Sequence, residues 1–184
     1  HKEGSGPSKG ANLFEQAGTV MNAVAAAVNL NIFNNHCDKI CMANIAQLVN
    51  NIHSLFLTQD DQCITTPTYH IFDMYKEHQG ATAVETLVTN NEELSTSISV
   101  SASTKDGKTL LTIANLSPRE DATICLEAVG LDLPNTAEGV LLHHDDIHAH
   151  NTFEDPNAVV PQQLTVDLTS AITVPKAGVL ALRF

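Results

Sequence analysis

The chain has 184 residues, and 9 Lys plus Arg against 21 Asp plus Glu give it a formal net charge of −12. This acidic excess argues against a nucleic-acid-binding surface, which needs a basic footprint. The longest apolar stretch, residues 20–33, is interrupted by Asn22, Asn29 and Asn31, so no unbroken run of the length that spans a bilayer is present. Hydrophobic residues make up 43% of the chain, enough for a buried core. We therefore expect a globular protein with no nucleic-acid or membrane partner.

The first part of the chain follows mainly helical spacing. Apolar residues at steps of three and four predict a helix over residues 12–36. The continuous apolar run at residues 40–46 predicts a strand covered on both faces, although a short buried helix has the same pattern. Residues 48–56 return to helical spacing, and Thr66-Pro67 begins a further helix in which Tyr69, Phe72 and Tyr75 follow at steps of three.

After Gly80 the hydrophobic period changes from about 3.6 to 2, which predicts strands. The Asp106-Gly107 pair tolerates positive φ and predicts a tight hairpin between Lys105 and Lys108. Many short antiparallel strands indicate a β-sandwich or jelly roll, and we place the boundary near residue 82. The predicted strands are Ser95–Val100, Thr109–Ala114, Thr123–Val129, Leu164–Leu168 and Val179–Phe184.

A single parallel strand at residues 40–46 has no partner strand within this chain. Either the missing strands lie upstream in a longer protein, or the helices pack on the sandwich or on another copy of the chain. Without cover, apolar side chains of the helical part would face water, and this favours a homo-oligomer. The side chains concerned are Val20, Val24, Val28, Ile40, Met42 and Ile45.

The densest polar cluster is the segment His143–His150, which contains an HxH pair and two carboxylates. Imidazoles and carboxylates are the usual ligands of zinc, so His148 and His150 are candidate metal ligands. The alternative is a solvated loop in which Asp and His cap turns. The four cysteines show neither CxxC spacing nor the density of a disulfide scaffold, and we expect buried, reduced thiols at Cys37, Cys41, Cys63 and Cys125.

Common catalytic motifs are absent from the sequence: it contains no GxSxG, no HExxH and no glycine-rich phosphate loop. Glycoside hydrolysis needs two carboxylic acids, and none follows the predicted strand at residues 40–46. Gln47, which comes directly after that strand, can both donate to and accept from a sugar hydroxyl. A buried Gln47 that caps the following helix is the alternative.

Three segments resemble the C-terminal third of the family-51 glycoside hydrolases, the α-L-arabinofuranosidases. They are MANIAQLVN at residues 42–50, TPTYHIFDMYK at 66–76 and AHNTF at 149–153, and the resemblance extends from about Asn12 to Phe184. It implies a (β/α)8 TIM barrel followed by a jelly-roll-like β-sandwich. The fold class expected for this chain is therefore mixed α and β: a C-terminal remnant of the barrel, then an antiparallel sandwich.

By this resemblance, residues 1–82 hold barrel helix seven (12–36), strand eight (39–46) and helix eight (66–79), and residues 83–184 form the sandwich. The family retains anomeric configuration with two catalytic Glu. Both are expected upstream of His1, no residue of this chain matches either, and the chain alone is expected to be inactive.

Gln47 corresponds to a glutamine that contacts the arabinofuranose next to the scissile bond. The family's relatives hold fewer histidines before the AHNTF segment, so the resemblance does not support a metal at His148 and His150.

The resemblance implies that the complete enzyme releases terminal α-L-arabinofuranose from arabinan, arabinoxylan or their oligosaccharides, without a cofactor. The alternative is a non-catalytic sandwich module for sugar binding or assembly. The absence of Trp and an aromatic content of 4% disfavour the sugar-binding version, since such modules stack sugar rings on aromatic faces. The compartment stays open, because any signal peptide would lie upstream.

Overall fold

A computed structural model describes residues 16–45, 47–89, 97–130 and 132–184 of the chain. None of the helices within these ranges is long and apolar enough to cross a membrane. In chain order the elements are helix α1 (Val20–Asn35), strands β1 (Phe56–Gln59) and β2 (Gln62–Thr65), helix α2 (Pro67–Tyr75), a 3₁₀ turn (Lys76–His78), and strands β3 (Thr82–Val84), β4 (Ile98–Lys105), β5 (Lys108–Asn115), β6 (Ala122–Ile124), β7 (Thr136–Leu142), β8 (Gln162–Asp167), β9 (Ile172–Val174) and β10 (Val179–Arg183).

The central layer is a six-stranded sheet with the strand order β3-β4-β5-β10-β7-β8. Every pairing in it is antiparallel. The β6–β9 pair forms a second, two-stranded sheet, and β1 and β2 form a separate hairpin. This mixed architecture with antiparallel sheets agrees with the predicted fold class at that coarse level, while the jelly-roll connectivity and the barrel origin of the helices stay predictions.

The central strands β5 and β10 of the six-stranded sheet are buried on both faces, and neighbouring side chains along each strand point to opposite faces. Leu110 packs into a cluster with α1 and α2, whereas Leu111 packs into a cluster with β6 and β9. On β10, Val179 likewise belongs to the helix-side cluster and Leu180 to the other. The helix-side cluster joins residues from both sides of the expected boundary at residue 82, and that boundary also stays a prediction.

The hairpin predicted at Asp106-Gly107 is confirmed. Asp106 has φ 53° and Gly107 has φ 76°, as a two-residue type I′ turn requires. Lys105 pairs with Lys108 across the turn, so β4 and β5 begin their ladder directly beside it.

The two predicted helices are present, with one displaced start. Helix α1 begins at Val20 because Thr19 and Asn22 form a capping box. The Thr19 side chain accepts a hydrogen bond from the Asn22 backbone, and the Asn22 side chain accepts one from the Thr19 backbone. Residues 16–19 are therefore not helical, and residues 12–15 of the prediction lie outside the described part. Helix α2 is confirmed, with Thr66 as its N-cap and Pro67 in the first turn.

The predicted strand at residues 40–46 is wrong for its described part. Residues 40–45 hold no regular structure, Ala46 lies outside the description, and the Met42 side chain is 72% exposed. A parallel strand exists only through hydrogen bonds to neighbouring strands, and none is available to this segment within the described residues.

The helical interpretation of residues 48–56 is also wrong. Bends and a single parallel bridge between Val49 and Phe56 occupy this stretch, and the β1–β2 hairpin follows. Asp60, with φ 52°, makes the hairpin turn. Within the stretch itself, Asn50 and His53 have φ 49° and 54°, values that a right-handed helix does not contain, so the apparent helical spacing does not form a helix.

Among the predicted strands, β5, β8 and β10 are confirmed within two residues. Strand β4 runs further than predicted, to Lys105, and its predicted start at Ser95 and Thr96 lies outside the described part. Strand β6 ends at Ile124, shorter than predicted. Strands β3, β7 and β9 were not predicted; Glu138 and Gly139 interrupt the apolar pattern of β7.

Two expectations about burial are corrected. The four cysteines are free, but all four are exposed, because they lie in turns, irregular segments and a hairpin outside the core. Val20 and Val24 do not face water: they are buried in the helix-side cluster against α2 and the sheet, and Val28 packs against the same cluster. The helices thus pack on the six-stranded sheet of the same chain.

Candidate functional site

The segment that carries Gln47, residues 47–53, lies on the surface and is called the Gln47 turn below. Gln47 itself is exposed. Three non-glycine residues of this turn have positive φ: Gln47 at 46°, Asn50 at 49° and His53 at 54°. Asn50 fixes the segment to β1, since its side chain donates to the Thr58 carbonyl over 2.9 Å and accepts from the Thr58 amide over 2.8 Å. The turn that presents Gln47 is therefore anchored although its outer side is open.

The amide of Gln47 has a defined orientation. The Ile52 backbone N–H donates to Asn51 Oδ1 over 2.7 Å, which turns the Asn51 Nδ2 group toward Gln47. That group donates to Gln47 Oε1. Gln47 Oε1 is therefore occupied by Asn51, and the buried, helix-capping alternative for Gln47 does not hold, because Gln47 is exposed and no helix follows it.

Beside this turn, the N-terminal ends of α1 and α2 lie against each other. The Thr66 hydroxyl donates to the Ser54 carbonyl over 2.8 Å, and the side chains of Asn22 and His53 are 3.3 Å apart. Burial lowers the pKa of His53, so its imidazole is neutral near pH 7. The end of the Gln47 turn and the residue that follows it are thus attached to the two helix starts.

The segment His143–His150 completes the start of α1 through its backbone. The first free amides of the helix, those of Val20 and Met21, donate to the carbonyls of Ala149 and Ile147, each over 3.0 Å. Asn151, only 2% exposed, donates to the Thr65 and Val159 carbonyls and accepts from the Val159 amide. The AHNTF segment is therefore a structural junction between α1, the start of α2 and the following loop.

The histidine side chains of this segment are not grouped as metal ligands in the part of the chain that the structure describes. Within the described residues, which include all of 143–150, no three His, Cys, Asp or Glu side chains are grouped so as to hold a metal ion. His150 Nδ1 lies 3.0 Å from the His148 carbonyl, and His144 Nδ1 accepts from the Asp146 amide over 3.0 Å. Those ring nitrogens are engaged in turn structure, and no described residue stands beside His148 and His150 as a third ligand.

A buried polar network lies between α1 and the sheet. Asn31 is fully buried: its Oδ1 accepts from Ser101 Oγ over 2.9 Å and from Thr112 Oγ1 over 2.8 Å, while its Nδ2 donates to the Ser99 carbonyl over 3.0 Å. Asn34 adds a bond to Ser101 Oγ over 3.1 Å. Such a satisfied network ties the helix to the sheet in one register.

The network ends at His78, on the 3₁₀ turn. Its Nδ1 lies 2.8 Å from Ser103 Oγ and its Nε2 lies 3.1 Å from Thr112 Oγ1. Burial lowers the pKa of His78 to about 4. Nearby Tyr75 is buried as well, and this burial raises the pKa of its phenol.

The sequence carried signals for this network that were not used. Ser99, Ser101 and Ser103 recur at a period of two on β4, and Ser101 pairs with Thr112 across the ladder, so all face the helices. Asn31 interrupts the apolar pattern of α1 at the matching place. When polar residues recur on the buried face of a strand, they need hydrogen-bonding partners from another helix or strand.

Comparison with known proteins agrees with the fold and the motifs. The family described as "Alpha-L-arabinofuranosidase C-terminal domain" matches residues 2–177. An intracellular exo-alpha-L-arabinofuranosidase of Bacteroides ovatus is 34% identical over 166 residues, which is 86% of this chain and 32% of that protein. The chain thus spans about a third of the length of this curated relative.

Solved structures of arabinofuranosidases have a fold similar to that of this chain. The GH51 arabinofuranosidase of Xanthomonas axonopodis pv. citri is 29% identical and superposes with a TM-score of 0.81 over 96% of this chain and 38% of that protein. The family 51 α-L-arabinofuranosidase AbfB of Bifidobacterium longum, at 24% identity, shares the fold with a TM-score of 0.77 over 94% of this chain and 35% of its own. The chain therefore belongs to the α-L-arabinofuranosidase C-terminal domain family of the GH51 arabinofuranosidases.

Proposed function

We propose that the chain is the C-terminal part of a retaining α-L-arabinofuranosidase that releases terminal α-L-arabinofuranose from arabinan, arabinoxylan or their oligosaccharides. In this proposal it supplies the scaffold and one substrate contact, Gln47, while both catalytic carboxylates belong to the remainder of the enzyme. The family match over residues 2–177 is the observation that carries the proposal.

The geometry at Gln47 supports a role in sugar binding. Because Asn51 occupies Gln47 Oε1, the exposed Nε2 group is available to donate to a sugar oxygen. A glutamine whose amide is already oriented loses less side-chain freedom when a sugar binds.

The surface around Gln47 supports a larger assembly. Met42 is 72% exposed and Leu48 is 55% exposed, with Val49 and Ile52 also exposed nearby. Cover by barrel strands would bury these side chains and would let residues 39–46 pair as the eighth strand. We therefore propose that residues 1–82 complete the barrel and that residues 83–184 form the sandwich beside it.

Activity measurements test the proposal directly. The purified 184-residue chain should not hydrolyse 4-nitrophenyl α-L-arabinofuranoside, because loss of general acid catalysis alone costs about 10²- to 10⁴-fold and the nucleophile is missing as well. The complete polypeptide that contains it should be active. Turnover by the chain alone, free of contaminating enzyme, would refute the division of labour proposed here.

Substitution of Gln47 tests its role in the complete enzyme. We expect Gln47→Ala to lower kcat/KM by roughly 1–3 kcal/mol, because a sugar oxygen then loses its donor in a closed site. Gln163→Ala, at an exposed glutamine on edge strand β8, is the matched control and should leave kcat/KM unchanged. Equal kinetics for the two variants would remove Gln47 from the substrate site.

Titration of the isolated chain with arabino-oligosaccharides separates this proposal from a free-standing sugar-binding module. None of the large hydrophobic side chains that are most exposed in the described residues is aromatic, which disfavours stacking of sugar rings on this surface. We expect no saturable heat in the titration. Micromolar binding by the chain alone would favour the module.

A further inference from the structure

Residues 76–84, which we call the edge segment, comprise the 3₁₀ turn and strand β3 at one edge of the central sheet. All three β3 residues are exposed, and within the described residues β3 pairs only with β4. A three-residue edge strand contributes little stability of its own. The attachment of this segment therefore depends also on contacts that residues 77–79 make with the sheet.

Three such contacts are present. Glu77 forms an ion pair with Arg183 over 3.0 Å, and the Gln79 carbonyl accepts from Lys105 Nζ over 3.3 Å; both are exposed to solvent. Contacts of this kind are worth little in water. The third contact is the His78 ring, half-buried against Ser103 and Thr112. Of the three it is the one that reaches into the interior.

The surrounding hydrogen bonds assign the tautomer of His78. Thr112 Oγ1 has only one proton, and two oxygens that can only accept compete for it: Asn31 Oδ1 at 2.8 Å and the Ser101 carbonyl at 3.2 Å. With the proton directed to either of them, Thr112 accepts from His78 Nε2–H over 3.1 Å. His78 Nδ1 is then the acceptor, and the Ser103 hydroxyl donates to it over 2.8 Å. Protonation of Nδ1 would convert this acceptor into a donor. Its N–H would then point at the hydroxyl hydrogen of Ser103, and this hydrogen bond would be lost.

We propose that His78 is an acid-sensitive latch, which holds the edge segment on the sheet while its ring is neutral and releases the segment when Nδ1 takes up a proton. Release uncovers the outer edge of β4, whose ladder partner β3 leaves with the segment. The sheet edge thus becomes open at low pH without unfolding of the cores on its two faces.

The charges around His78 do not reverse this effect. Glu77, on the same turn, favours the protonated ring, whereas Arg183 from β10 opposes it; desolvation by burial is larger than either. Lys105 of β4 contacts the Gln79 carbonyl, and Lys76 pairs with Asp73 on α2. Toward the interior, His78 meets the Tyr75 ring at 5.6 Å and the hydroxyls of Ser103 and Thr112.

The sign of the pH dependence follows from the lowered pKa. In an opened segment the ring has an ordinary pKa of 6.5, and in the closed segment about 4, so the open form binds more protons between these values. Closure is complete above pH 6.5 and is lost as the pH falls toward 4. After allowance for solvent screening of a half-buried ring, we expect a roughly 10- to 100-fold drop in the closing equilibrium.

Amide hydrogen exchange of the 184-residue chain, corrected for intrinsic rates, tests the latch. The backbone amides that are hydrogen-bonded between β3 and β4 should lose about 10- to 100-fold of their protection against exchange from pH 7 to pH 4. The protection of the β10 amides should change much less. His78→Gln should abolish this difference, because an amide donates and accepts without titrating in this range. His144→Gln, at a surface histidine, and Glu77→Gln should each retain it.

Imidazole nitrogen NMR provides an independent measurement on the unaltered chain. The latch requires a neutral, Nε2-protonated His78 at pH 6, and Ser103→Ala should raise the pH at which the ring titrates. An ordinary titration near pH 6.5 would overturn the proposal, as would an unchanged pH response of β3 and β4 in His78→Gln. Should His78→Gln not fold, the NMR titration and Ser103→Ala decide the question.

Discussion

Gly18 lies so close to Thr66 that a Cβ atom at position 18 would stand 3.0 Å from the Thr66 Cβ. The contact brings the starts of α1 and α2 together, since Gly18 directly precedes the α1 cap and Thr66 is the N-cap of α2. The opposing Cβ is fixed to the backbone, so it cannot rotate away. We expect Gly18→Ala to lower the free energy of unfolding by about 1–3 kcal/mol through overpacking.

Urea unfolding at neutral pH measures this effect. Ala25→Ser, on the exposed side of α1, is a control of similar size and should cost less than about 0.7 kcal/mol, the range of ordinary helix propensities. If Gly18→Ala matched this control, the two helix starts would be less tightly opposed than described.

A second prediction concerns the buried amide of Asn151. Its side chain makes three hydrogen bonds to backbone groups of Thr65 and Val159, and it is 2% exposed. We expect Asn151→Ala to lower the free energy of unfolding by roughly 2–4 kcal/mol, because buried backbone groups lose their partner. Asn157→Ala, an exposed asparagine in the same loop, should be nearly neutral in the same thermal or urea unfolding measurement. Equal stability of the two variants would contradict the junction role of Asn151.

A third prediction uses the β4–β5 turn. Asp106 has φ 53°, where β-branched residues are strained and asparagine is tolerated. We therefore expect Asp106→Val to destabilise the chain by about 1–3 kcal/mol, with Asp106→Asn neutral or slightly stabilising. Unfolding midpoints of the two variants provide the comparison, and a valine variant as stable as the asparagine variant would argue against the type I′ geometry.

A fourth prediction concerns self-association. Because Met42 and Leu48 are 72% and 55% exposed, we expect the isolated chain to form a homo-oligomer through residues 40–52. Light scattering over a concentration series should show a rising mass, and Met42→Ser with Leu48→Ser should lower it. Val129→Ser, at a fully exposed valine elsewhere, should not. A mass that stays at the monomer value at all concentrations would refute the prediction.

How far the sequence could predict the fold depended on the range of the interactions. Local signals were sufficient where one segment decides the outcome: Thr66-Pro67 starts α2, and Asp106-Gly107 closes the hairpin. They failed for residues 40–45, part of an apolar run that predicts a strand, because a parallel strand depends on neighbours that the segment itself does not contain. The exposed Met42 is the direct result.

The candidate site shows the same distinction. Gln47 could be singled out through a motif resemblance, but the orientation of its amide depends on Asn51 and Ile52 in a turn that the spacing had suggested to be helical. The roles of Asn31 and His78 depend on contacts with β4 and β5, far away in the sequence. The sequence shows that these polar residues are present, but only the packing of the folded chain determines which of them form hydrogen bonds with one another.

The loop at residues 143–150 completes α1 with the carbonyls of Ala149 and Ile147, while its histidine side chains take no part in that task. Substitution of His148 by any residue except proline should therefore be well tolerated, since it leaves the carbonyls of Ile147 and Ala149 in place. Removing a residue from the loop would instead shift both acceptors out of register with Val20 and Met21. In this loop, length is under tighter structural constraint than side-chain identity, so libraries that vary the histidines should retain folded members whereas single-residue deletions should not.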